Sequence, residues 1–276
     1  KLEISPPPEL GLLHYLNFKG GVFTGMGPTG AENDNNKDLI GRLGFTAPFY
    51  DLNLSLDGGV SAYFGKVTNT SDTAFSLGAL GNGSKAFIAE AGNRQENFDR
   101  NLVGVDAQIY CDLPVIGGFS LRGEYLWGVV PTFASPSSAS NGNNFLYMGT
   151  PSRTADNLSP SGQPLYHREV MGWYVTLVQN LGSRAQAVVK YDVFDPNTEV
   201  EGSDIGKSGS GLSTADLLVS TLGLGGIFHW DENTKFVLYY DWVENEKAAF
   251  SASSSSRLWN KDLSDNLLTF RMQVKF

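Results

Sequence analysis

The sequence predicts an all-β fold, a transmembrane antiparallel up-and-down β-barrel with short turns at one end and long loops at the other. Three observations predict it. The closing stretch sets Leu268, Phe270, Met272, Val274 and Phe276 on one face and Thr269, Arg271, Gln273 and Lys275 on the other, the period-two pattern of a strand. Short turns and long polar loops alternate along the chain without exception, the asymmetry of short periplasmic turns and longer extracellular loops in outer-membrane barrels. No segment of useful length has the helical period, so α/β arrangements drop out.

Composition points the same way. The 276 residues include 32 Gly, are 12% aromatic and only 18% charged, and have a mean hydropathy of -0.18. The longest nearly apolar run, Leu217 to Phe228, is interrupted by Ser220 and Thr221, whereas a spanning helix needs about 20 apolar residues. A single cysteine, Cys111, excludes an internal disulfide framework and a multi-cysteine metal site. A net charge of -9 lacks the basic footprint of nucleic-acid binding. Lys1-Leu-Glu-Ile-Ser5 has no basic flank followed by an apolar core, so the chain is expected to be a mature form or to lack its beginning.

Taken in order, Lys1 to Ser5 reads as the tail of a strand broken by Pro6-Pro-Pro8. Strands follow over Leu13 to Thr24, Asp38 to Ala47 and Leu52 to Gly65, then Arg100 to Asp112 and the return to Val130. After the longest loop come Arg168 to Asn180, Arg184 to Asp195, Ala215 to Trp230, Lys235 to Glu246 and the final strand. Short turns fall at residues 6 to 12, 48 to 51, 113 to 117, 181 to 183 and 231 to 234; long loops fall at 25 to 37, 66 to 99, 131 to 167, 196 to 213 and 247 to 264. A Greek-key sandwich has no reason to sort its connections so. The count is ten full strands and one fragment, eleven in all, in a single barrel domain over residues 1–276.

The faces are decided by charge. With the apolar sets toward lipid, Lys19, Arg42, Arg122, Lys190 and Arg271 point into the lumen. Turning the strands over would expose all five to lipid at about 2 to 4 kcal/mol each near the midplane, on the order of 10 to 20 kcal/mol together. The register is therefore strongly specified. Outward Trp127, Trp173, Tyr191 and Trp242 fall near the loop ends and Phe119, Phe228, Phe236 and Phe276 near the turn ends, two aromatic girdles.

Several stretches, in this order, resemble a known family: Gly20-Gly-Val-Phe-Thr-Gly25, Asp34-Asn-Asn-Lys-Asp38 running into Gly41-Arg-Leu-Gly-Phe45, Gly172-Trp-Tyr-Val-Thr-Leu177, Asn180-Leu-Gly182, Lys190-Tyr-Asp-Val-Phe-Asp-Pro-Asn197 and the closing strand. They are similar to outer-membrane porins of the phosphate-selective porin O and P type. The resemblance implies a bacterial outer-membrane barrel of sixteen strands, commonly a homotrimer, that carries small anions such as phosphate through a water-filled pore. About five strands would then lie before Lys1, together with the loop that folds into the pore.

The candidate pore-lining residues are Lys19, Arg42, Asp57, Asp106, Arg122, Glu124, Lys190, Asp192, Asp241 and Arg271, with Lys275 also inward. They are of mixed sign, so no one-signed selectivity ring is visible. Two readings stay open: opposed charges that set up a transverse field across a channel, or cross-strand pairs that only keep the lumen wet. The expected function is passive diffusion of small hydrophilic solutes or ions. The alternative is a barrel serving as an anchor, an adhesin or a subunit of a larger envelope complex. No catalytic constellation, cofactor or metal site is expected; partners are solutes or ions and outer-membrane lipid, not nucleic acid. His14, His167 and His229 are scattered, and Asp34, Asn36 and Asp38 open like a calcium loop but meet Leu39 where Gly is required and Phe45 where Glu is required. Asn69-Thr-Ser71 and Asn82-Gly-Ser84 match glycosylation acceptors that carry little meaning in a bacterial barrel. Cys111 reads as a small hydrophobe on the lipid-facing set.

Overall fold

Long stretches of period-two alternation, rich in β-branched and aromatic side chains on one face, leave the backbone extended. In the computed structural model, which describes residues 2–25, 36–69, 71–132 and 164–275, thirteen strands form one sheet. Lys1, Phe276 and most of the 25–37 and 131–167 loops, with the expectations placed on them, lie outside the described residues.

Eleven strands pair antiparallel along one path in chain order: β1 (Leu2–Ile4), β2 (Leu16–Thr24), β3 (Lys37–Phe49), β4 (Leu54–Thr68), β7 (Asn97–Leu113), β8 (Gly117–Thr132), β9 (Leu165–Leu181), β10 (Ala185–Asp195), β11 (Val219–His229), β12 (Thr234–Asn245) and β13 (Leu267–Val274). These are the eleven strands that alternation predicts, in the up-and-down order it predicts. β1 and β13 are the edges, each paired on one side only among the described residues.

The differences are local. Residues 13–15 belong to a 3-10 segment, Pro8–Tyr15, in which Gly11 turns the chain with φ of 60°. Residues 214–216 form a short 3-10 turn before β11: the Ser213 hydroxyl accepts the Ala215 N–H while the Asp216 carboxylate accepts the Ser213 N–H. The long 66–99 loop contains a hairpin, β5 (Ala74–Ala79) with β6 (Lys85–Glu90), and β5 adds a short parallel contact to β9, Ala74 opposite Leu165 and Phe75 opposite Tyr166. Its alternation is short and Gly-flanked, which is why it reads as loop. At the other end the β11–β12 turn is closed by Asp231, whose Oδ1 accepts the Asn233 and Thr234 N–H groups. The Asn233 bond first of all holds that carboxyl below the usual carboxylate range.

Among the described residues the cluster of buried apolar side chains does not lie in the middle of the wall. One face exposes Leu43, Phe64, Leu224, Leu238 and Phe270 among many large apolar side chains. The main cluster of buried side chains sits instead at the loop end: Phe87, Tyr166, Val200, Ile205, Leu212, Leu217 and Ala248, with Phe75, Leu77, Phe250 and Trp259 packed around them. β7 and β9 run 17 residues each, beyond the about 9 to 11 that cross a bilayer, and the loop-end surplus of β9 is the base on which this core is built.

One glycine tests the sheet directly. Gly128 in β8 has φ of 155°, and a Cβ there would collide with the Asn101 carbonyl oxygen of β7. Gly128→Ala is expected to cost on the order of 1 to 3 kcal/mol, read as a lowered urea midpoint of the detergent-folded protein. Gly81→Ala, with open space around it, leaves the midpoint unchanged.

Candidate functional site

Directly opposite residues in a sheet point to the same side, so the register sorts every side chain of the wall onto one of two faces. Tyr166 and Arg168 belong to the face of Thr132, Val130, Thr176 and Arg122, and the β5–β6 hairpin lies against them: Phe75 stacks on Tyr166 at 4.6 Å, and Phe87 meets its edge at 5.1 Å. This face, opposite the exposed apolar layer, is termed the inner face. All ten candidate residues fall on it, since each is linked to the others by pairings or even spacings.

Register also orders them into adjacent rungs, which spacing along the chain does not reveal. In one rung Asp57, Gln108, Arg122, Thr176, Lys190, Gly223 and Asp241 lie opposite one another from β4 to β12. In the next, Gly59, Asp106, Glu124, Tyr174, Asp192 and Thr221 do so. Three carboxylates thus share a rung beside one that holds two cations flanked by Asp57 and Asp241.

Pairing divides the set. Lys19 meets Glu3 across adjacent strands at 3.0 Å. Arg42 reaches over β4 to Asp106 with two bonds, Nη2 to Oδ1 at 2.6 Å and Nε to Oδ2 at 3.2 Å. It can do so because Gly59 lies beneath it: a Cβ there would stand 2.8 Å from the guanidinium carbon. Lys190 meets Asp192 two residues along its own strand at 2.6 Å. Asp57 accepts the Ser55 hydroxyl at 3.3 Å. Among the described residues Arg122, Glu124, Asp241 and Arg271 form no ion pair. The pairs of Lys19 and Arg42 thus join different strands, whereas that of Lys190 lies within one strand.

Two buried clusters were not among the candidates. Asp38 accepts Arg100 Nη2 at 2.7 Å and also the Tyr63 hydroxyl, while Arg100 donates to the Gly25 carbonyl at 3.0 Å and lies 5.0 Å over the Tyr63 ring. Asp38 is thereby committed to Arg100 and Tyr63. In the second, Arg168 Nε donates to Asp216 Oδ1 at 2.8 Å and its Nη1 to Thr132 Oγ1 at 2.5 Å; Asn197 Nδ2 donates to the same Asp216 oxygen at 3.0 Å. The side chains of Arg168 and Asp216 are 1% and 0% exposed. Arg100 and Arg168 share a signal that could have found them, an arginine of inward parity in the loop-end turn of its strand. Their acidic partners are 62 and 48 residues away and carry no local signal.

The remaining residues stay apart. His14 Nδ1 lies 3.2 Å from the Pro6 carbonyl, His167 has the parity of the apolar face, and His229 ends β11 opposite Lys235. Cys111 is a partly exposed free thiol between Leu54 and Phe119 on the apolar face. Among the described residues no three His, Cys, Asp or Glu side chains converge as a metal site would require.

A double-mutant cycle of Arg42→Met with Asp106→Leu is expected to give a coupling of about 1 kcal/mol, a bidentate but part-exposed pair; additive midpoints would show that the two do not interact.

No family model matches the chain, and none of the curated proteins does. Among solved structures it is similar to the copper transporter OprC, with a TM-score of 0.42 and 15% identity over 84% of this chain and 36% of that one. The chain thus spans about a third of that protein's length.

Proposed function

We propose that this chain forms the wall of an outer-membrane β-barrel porin whose inner face lines a water-filled path for passive diffusion of small hydrophilic solutes or ions. The observation that carries the reading is the split between faces. The outer face is a broad layer of exposed Leu, Val, Phe and Trp side chains, far beyond the few hundred square ångströms a soluble monomer leaves bare, while the wall's ion pairs have their members on the other face. A bilayer is the solvent that suits such a layer, and the nine strands of the path between β1 and β13 are paired on both sides, as backbone inside a bilayer requires.

Aromatic pairs on the outer face support the same setting. Tyr125 with Trp127, Trp173 with Tyr191 and Tyr240 with Trp242 stand toward the loop end, at 5.3, 5.5 and 4.4 Å between ring centroids. Phe228 with Trp230 and Phe236 with Phe270 stand toward the turn end, the levels at which interfacial belts form. On the inner face, Arg122, Glu124, Asp241 and Arg271 are charges left to water and solute. Selectivity for phosphate and assembly as a homotrimer are carried by the family resemblance; the mixed signs of the inner face favour a general pathway for small polar solutes.

A second reading, a barrel that serves as an anchor or adhesin, draws on the folded loop end, whose core gives the segments around residues 197–217 and 246–260 a fixed outer surface. Conductance separates the two. In planar bilayers the purified protein is expected to give discrete single-channel steps, with the reversal potential in a salt gradient reporting ion preference; a silent bilayer with correctly folded protein would favour the anchor.

The orientation of the faces has its own test. Leu224→Arg on the outer face is expected to cost about 2 to 4 kcal/mol and reduce folding into lipid vesicles. Thr221→Arg, three residues away on the inner face opposite Asp192, is expected to fold normally.

A further inference from the structure

We propose that Arg168 is a positioning residue that clamps the β5–β6 hairpin and the 197–217 segment against the inner face and so sets the aperture of the pathway at its loop end. This rests on the conducting-barrel reading and adds to it the element that determines the width.

The hairpin leaves the wall between β4 and β7 and docks on β9 where β10 has already ended: β9 pairs with β10 only as far as Met171, and Leu165 and Tyr166 receive β5 instead. From there it is held on two sides. Toward the wall, Phe75 and Phe87 pack on Tyr166. Away from it, the Phe87 N–H donates to the Ser210 carbonyl at 2.8 Å and the Lys85 ammonium to the Glu199 carbonyl. The hairpin is thus a layer between β9, which it joins edge to edge, and the 197–217 segment, with its Phe75 and Phe87 rings on the Tyr166 face that looks toward the proposed pathway.

Arg168 is the group common to all three layers. It belongs to β9, its guanidinium carbon lies 5.0 Å from the centre of the Phe87 ring and 5.3 Å from that of Tyr166, and it binds Asp216 beyond them. Asp216 in turn gathers the Asn197 amide and the Ser213 N–H, so both ends of the outer segment converge on the carboxylate that Arg168 neutralises. The Asp195-Pro-Asn197 stretch has a concrete part in this: Asp195 accepts the Asn197 N–H at 3.0 Å and presents the amide to Asp216. Removing the cation leaves a fully buried carboxylate unpaired. The least costly response is to let water in, and the layer that must move to admit it is the hairpin.

The test is single-channel recording of the full chain, with folding of each variant confirmed by heat-modifiable migration. Arg168→Met is expected to raise the mean conductance and add open-channel noise. Phe87→Ala, which keeps the ion pair and removes the ring, is expected to shift both in the same direction and serves if Arg168→Met does not fold. Ala74→Cys with Leu165→Cys, directly opposite residues, made in the Arg168→Met and Cys111→Ser background, ties the hairpin to the wall without restoring charge. Oxidation is expected to return conductance and noise to the wild-type level, and reduction to release them. Folded variants with wild-type conductance and noise, or a cross-link that restores nothing, would overturn the clamp while leaving the porin reading intact. A wild type that never conducts removes the pathway itself, and the aperture with it.

Discussion

Backbone hydrogen bonding between neighbouring strands is the constraint from which the rest of this molecule follows. A wall only one sheet thick has no second layer to hide unpaired N–H and C=O groups, so each strand must satisfy its own through its neighbours. The eleven-strand path does this in chain order for every strand between its edges β1 and β13. Once adjacent strands are locked residue to residue, the two-residue period leaves no freedom: a shift by one would carry every inner charge to the apolar side.

The two faces use that rigidity differently. On the outer face, glycines and aromatics are matched so that rings cover bare backbone: a Cβ on Gly20 would come within 2.9 Å of the Phe18 ring, and one on Gly58 within 2.9 Å of Phe45. On the inner face the same device serves charge and aromatic alike. Gly59 lets the Arg42 guanidinium cross a strand to Asp106, and the Tyr239 ring occupies the space above Gly223 and Gly225. The glycine-rich character of the wall is therefore tied to what lies over it rather than to turns.

The loop end obeys another logic. There aliphatic and aromatic side chains lie inside, around buried polar groups that Asp216 gathers by hydrogen bonds from Arg168, Asn197 and Ser213. The hairpin strands are only six residues each, and a fully desolvated ion pair with its hydrogen-bonded neighbours holds them and the 197–217 segment in one arrangement. Such a pair contributes little net stability against an apolar replacement, but it is costly to leave half-made. That property suits a group that must fix a position.

The order of the eleven wall strands and their two faces were legible along the chain because alternation is a local property, readable at Leu268 to Phe276 as well as at Leu222 to Phe228. The same locality explains the misses. Residues 13–15 and 215–216 have strand-like composition, and Gly11 and the Ser213 cap override it. The hairpin over residues 74–90 has too little alternation to announce itself, and only contact with β9 makes it ordered. All ten inner-face candidates came from parity alone, yet neither the rungs they form nor which of them pair could be read, since Arg42 meets a residue 64 positions away and Lys190 one only two away. By itself, then, the sequence determined the alternation of faces and the up-and-down path, which depend on period and on turn length. Tertiary structure decided which charges neutralise one another, where the buried core lies and what rests on the inner face, because these depend on groups brought together from distant parts of the chain.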